Sequence, residues 1–94
     1  MVLVTDKVRA KDWRALKEAN DQVVKTAKEY GCVSSRVYRR EGDPDYVVFV
    51  SLWKNHEDMH KFTDQVGDEF NRRSGLSGDE WETEVWEESD ALGF

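Results

Sequence analysis

The segment His56-Glu57-Asp58-Met59-His60 concentrates reactive side chains more than any other part of this 94-residue chain. It matches H-E-x-x-H, and on a helix that spacing puts two imidazoles on one face, as zinc binding in metalloproteases requires. Glu80, Glu82 or Glu84 could then serve as a distant third ligand. Three features oppose this reading. The helix start is polar, Asp58 adds a charge where zinc proteases usually have an uncharged residue, and so small a chain cannot surround a peptide. No metal is therefore expected, and His56 reads as a solvated residue near a helix cap.

His60 sits beside the apolar stripe Met59, Phe62 and Val66, and such a flank looks into the space between a helix and a sheet. An imidazole titrates near neutrality, so His60 is a candidate base or hydrogen-bond donor toward a phenolic ligand. The competing reading is a half-exposed histidine that aids solubility. Asn20 falls within the apolar arc of Trp13, Leu16, Val23, Val24 and Ala27. A buried amide without partners costs about 1–3 kcal/mol. It is either bonded to a strand or a trapped water, or held as a polar group in an apolar ligand pocket. Trp53 and Trp86 end apolar strands; each packs in a core or interface, or stacks on a flat ligand. Met59 and Phe62 would line the same space. Cys32 follows a helix C-terminus, where the local field does not favour a thiolate, and reads as a small apolar residue. The sequence has no Ser-His-Asp pattern, P-loop or dinucleotide fingerprint.

These residues need a frame. Val2, Val4 and Val8 alternate on a first strand within Met1–Arg9. Asp12 suits an N-cap, the arc from Trp13 to Tyr30 has helical spacing, and Gly31 stops that helix at C′. Cys32–Arg40 reads as a second strand, with Val33 and Val37 on one face and Tyr38 on the other. Glu41–Asp45, containing Gly42 and Pro44, is a hairpin connection. Tyr46–Trp53 is a third strand, apolar on both faces: Val48, Val50 and Leu52 on one, Val47, Phe49 and Trp53 on the other. Asn55 caps a second helix with the stripe Met59, Phe62, Val66 and Phe70, and Gly75 to Gly78 is a loop. Trp81–Glu87 is a fourth strand, with Trp81, Thr83 and Val85 opposite Glu82, Glu84 and Trp86. The order β-α-β-β-α-β is a ferredoxin-like α+β fold, a four-stranded antiparallel sheet with two helices on one face. A small antiparallel sheet needs one dry face. The second apolar face of Tyr46–Trp53 asks for another cover, and a partner subunit, forming a homodimer, is the expected one.

Composition sets the bounds. The length suits one domain, expected over residues 1–88, with 89–94 as a C-terminal tail that is frayed or laid across a partner. The net charge is −6. Residues 1–67 carry 12 basic and 11 acidic groups, whereas residues 68–94 carry 2 and 9. This acidic end argues against nucleic acid as a partner. Arg36, Arg39 and Arg40 form the one local basic patch, read as a charged strand rim. A single cysteine excludes an intrachain disulfide and fits a reducing cytoplasm. No run suits a membrane helix, and the strand pattern at the start gives no expectation of a cleaved signal.

Taken together, the residues resemble the antibiotic biosynthesis monooxygenase family of dimeric α+β barrels. The first strand, Gly31–Cys32, the Gly42–Asp43–Pro44 turn, the strand ending in Trp53 and the helix carrying His60 and Thr63 bear the resemblance, over roughly residues 2–88. Ser51 stands where many members have an acidic residue, and Gln65 near where a second histidine is common. Val2–Val8 lacks the asparagine typical of haem-degrading members. The resemblance implies oxidation of an electron-rich aromatic or polyketide-type molecule with no cofactor. His60 would be base or donor, Asn20 an orienting group, and Trp53, Trp86, Met59 and Phe62 substrate walls. It also admits a non-catalytic ligand-binding or assembly domain on the same barrel.

Overall fold

The computed structural model describes residues 1–90 and Leu92. The elements run β1 (Val2–Arg9), α1 (Trp13–Glu29), β2 (Cys32–Arg40), β3 (Asp43–Trp53), α2 (His56–Ser74), a short 3-10 turn (Gly78–Glu80) and β4 (Glu82–Glu87). The strands form one sheet in the order β2-β3-β1-β4, with every neighbouring pair antiparallel. This is the ferredoxin-like arrangement the sequence predicts. Of the expected tail, Ala91, Gly93 and Phe94 lie outside the described residues. No described helix is long and apolar enough to cross a membrane.

Local chemistry sets the boundaries. The Asp12 side chain accepts from the Ala15 amide at 3.1 Å and starts α1. Gly31, at φ +107°, ends it with a backbone conformation that L side chains rarely adopt. The Asn55 side chain accepts from the Asp58 amide at 2.8 Å and starts α2, as predicted. Gly31 also ties these two ends together: its carbonyl accepts from the Lys54 amide, and an added Cβ would stand 2.8 Å from Asp58 Oδ2.

Two boundaries and one register differ from the sequence reading. The hairpin turn is only Glu41–Gly42, so β3 begins at Asp43 and takes in Pro44. The ladder is irregular at Arg39/Arg40, where a proline's missing donor is tolerated. A second irregularity lies between Cys32 and Ser34. It leaves Val33 exposed and turns Cys32 toward the core, so Val33 does not share the face of Val37. β4 begins at Glu82 because Trp81 closes the 3-10 turn.

The helix side of the sheet carries two packed clusters. One contains Val2, Val4, Ala27, Trp53 and Met59; the other contains Val8, Ala10, Leu16, Val47 and Leu76. Asp6 lies between Val4 and Val8 on the same side of β1, where the two clusters separate. The opposite side of the sheet carries Leu3, Tyr38, Val48, Val50, Leu52 and Trp86, and no element of the described chain covers it.

Candidate functional site

A cavity of about 400 Å³ occupies the gap between the helices and the sheet. Its volume lies in the range of roughly 300–1,000 Å³ that suits small-molecule sites. Phe49, Trp53, Met59, Phe62, Val66, Phe70 and Trp81 make its walls mostly apolar. The residues of β4 are all exposed, and Thr83 and Val85 of that strand line the cavity.

The walls are braced. Trp53 is 3% exposed; its Nε1 donates to Ser51 Oγ at 2.9 Å, and its ring packs against Phe62 at 5.3 Å. Ser51 thus orients the tryptophan at a position where a carboxylate would bring a charge. Trp81 Nε1 donates to Asn71 Oδ1 at 2.7 Å, and its ring meets Phe49 and Phe70 edge-on or tilted. The Thr63 hydroxyl donates back to the Met59 carbonyl at 3.0 Å.

The polar groups stand on different elements. Asn20 projects from α1; it is half-buried, and its amide has no side-chain hydrogen bond among the described residues. It therefore does not act as a structural amide bonded to a strand. His60 projects from α2 at the exposed rim, its ring 4.3 Å from that of His56. Asn20 and His60 line the same cavity, together with Trp53, Met59 and Phe62.

Trp86 does not join them. It pairs with Leu3 on the far side of the sheet, 54% exposed, because β4 alternation sends Thr83 and Val85 toward the cavity and Trp86 away. Trp81 is the cavity aromatic that the sequence reading passed over. Asp6 is another omission. Its Oδ1 accepts from Thr83 Oγ1 at 2.5 Å, and burial, partly offset by that hydrogen bond, raises its carboxyl from the ordinary value. Burial likewise pushes up the Cys32 thiol, leaving it a poor nucleophile.

The zinc geometry is not completed. Among the described residues no group of three or more His, Cys, Asp or Glu side chains comes together. Glu80 instead pairs with Lys11 at 3.0 Å, while Glu82 and Glu84 share the far sheet face with Trp86. His56 stands exposed in the first turn of α2, as a residue near a cap should.

Solved structures share this architecture. A conserved protein from Methanosarcina mazei Go1 superposes with a TM-score of 0.78 at 19% identity, over 94% of this chain and 92% of that one. SnoaB, a cofactor-independent oxygenase from Streptomyces nogalater, gives 0.76 at 14% identity, over 97% and 94%. Rv0793 from Mycobacterium tuberculosis gives 0.74 at 14%, over 98% of each chain. At such identities the likeness carries the fold. No curated protein matches the chain. Family membership rests on the sequence itself, because the antibiotic biosynthesis monooxygenase model matches residues 1–70, which include β1, the Gly31 corner, Trp53 and His60. The chain belongs to the antibiotic biosynthesis monooxygenase family.

Proposed function

We propose that the protein is a small cofactor-independent monooxygenase that oxidises an electron-rich aromatic or polyketide-type molecule in the cavity between helices and sheet. The observation that carries this reading is the composition of that cavity. Aromatic walls surround a few polar groups, two of which, Asn20 and His60, project from different helices without hydrogen-bond partners among the described residues. The family, and the likeness to a cofactor-independent oxygenase, support it.

In this mechanism molecular oxygen reacts directly with a carbanion or phenolate. The apolar walls keep water from the reacting carbon and strengthen the few polar contacts there. Trp53, Met59 and Phe62 hold the ring system flat, Asn20 orients a ring oxygen, and His60 acts as base or as donor to the developing oxyanion. The protein acts as a homodimer, whose second subunit covers the apolar sheet face of Leu3, Tyr38, Val48, Val50, Leu52 and Trp86. Its one cysteine, half-buried, suits a reducing cytoplasm.

Oxygen uptake with anthrone-like substrates tests the chemistry. The wild-type protein should consume oxygen above the protein-free rate, and His60→Ala should slow it by about 100-fold, the lower range for loss of a general acid or base. If neither protein consumes oxygen across a panel of such phenols, the barrel is a ligand-binding or assembly domain instead.

A further inference from the structure

Asp6 is the one carboxylate on the cavity wall among the described residues, and it stands at the middle of the sheet floor. Phe49 flanks it from β3 and Thr83 from β4. α1 offers no charged group to this cavity, and the titratable groups of α2 there are His56 and His60 at the rim. β2 adds the Cys32 thiol, whereas β3 and β4 add no titratable side chain. On Asp6's own strand, Lys7 points to the other face and pairs with Glu84 at 3.7 Å. No lysine or arginine lines the cavity among the described residues, so an ionised Asp6 has no cation to balance it.

A structural role explains this poorly. Thr83 is exposed, so water can satisfy its hydroxyl without Asp6, and the β1–β4 ladder is already paired through the backbone on both sides of that contact. A desolvated carboxylate without a cationic partner costs stability, which a neutral acceptor would not. Such a group, beside apolar walls and open to a ligand, is arranged for proton transfer.

We propose that Asp6 is the proton acceptor of this cavity, taking a proton from an acidic ring carbon of the substrate while His60 hydrogen-bonds the developing oxyanion at the rim. The inference rests on the oxygenase reading and names the group that would start its reaction on a carbon acid such as the methylene of an anthrone. The Asp6 carboxylate removes one C–H proton, leaving the electron pair on the ring. That carbanion reduces molecular oxygen as the C–O bond forms, and the resulting peroxide anion recovers the proton from the Asp6 carboxylic acid. The hydroperoxide then loses its remaining C–H proton and hydroxide as water, so one oxygen atom stays as a carbonyl and the other leaves in water.

The first step can be read without oxygen. Anaerobically in deuterium oxide, the wild-type protein should catalyse exchange of the anthrone methylene protons, followed by NMR. Asp6→Asn should slow exchange by about 100-fold. The exchange rate should fall as pH drops through the Asp6 value, on a limb displaced upward from the ordinary 3.8. Thr83→Val removes the hydrogen bond that favours the carboxylate, so that limb should move to higher pH. Wild-type protein that fails to catalyse exchange, Asp6→Asn that exchanges as wild type, or a limb unmoved in Thr83→Val would each overturn the proposal. Should Asp6→Asn not fold, Thr83→Val decides alone. Oxygen uptake separates the two readings. Asp6-dependent exchange without uptake defeats the oxygenase and keeps Asp6 as base. Uptake with exchange indifferent to Asp6 does the reverse.

Discussion

At the scale of single residues, Asp6 shows how a site hides in a regular pattern. Val2, Val4 and Val8 alternate on one strand face, and the skipped position in that series is Asp6, which therefore must face the helices. An interruption of an inward series by a carboxylate was the available signal. His60 and Asn20 were legible for a similar reason, one beside an apolar stripe and the other within an apolar arc. Trp86 misled because an aromatic at a strand end looks alike on either face; Trp81, five residues earlier, has the parity that enters the cavity. Asp6 also has a measurable thermodynamic sign. Its carboxyl is raised in the folded state, chiefly by burial, so the folded chain holds that proton more tightly than the unfolded chain does. The associated stability is full below the ordinary value of 3.8 and is lost as pH rises through the raised one. Asp6→Asn should therefore be at least as stable as wild type near neutral pH, with any advantage vanishing in acid. Urea denaturation at several pH values measures this, and a variant less stable at neutral pH would show that the carboxylate holds the fold together.

At the scale of elements, helix ends were the most readable features. Each is set by one side chain or one glycine acting within a few residues: Asp12, Gly31 and Asn55. Strand ends were less so. The irregularity between Cys32 and Ser34 comes from pairing with β3 and exchanges which of Cys32 and Val33 faces inward, so strict alternation misplaces Val33. Likewise Pro44 suggests a longer turn, while the ladder tolerates it beside an irregular pair. The Gly31 corner matters beyond its own turn, since its carbonyl holds Lys54 just before the helix that carries His60. Gly31→Ala combines a positive φ with a Cβ pressed against Asp58. It should cost about 1–3 kcal/mol, the usual range for a strained backbone position. Thermal unfolding would reveal it, and an unchanged midpoint would mean that the corner relaxes freely.

At the scale of the whole molecule, the two-faced apolarity of β3 was visible in the sequence, and the structure places its two faces differently. One meets the helices and the cavity; the other, with Leu3, Tyr38 and Trp86, has no cover among the described residues. Exposed apolar patches can mark interaction sites, and this face is the one proposed for the homodimer. A homodimer built on it predicts sedimentation at twice the 11.0 kDa chain mass. Val50→Glu should give folded monomers, since Val50 points away from the cavity wall; a wild-type monomer at micromolar concentration would refute this surface as a dimer interface. What the sequence could not convey is the size of the cavity, a property of packing across the whole fold. Isotopic oxygen follows the chemistry in that cavity atom by atom. An anthrone turned over under ¹⁸O₂ by the wild-type protein should yield a carbonyl product carrying one labelled oxygen, with the second in water. Asn20→Leu should weaken substrate binding and reduce the labelled product. A product formed no faster than without protein, or label independent of the cavity residues, would contradict the account.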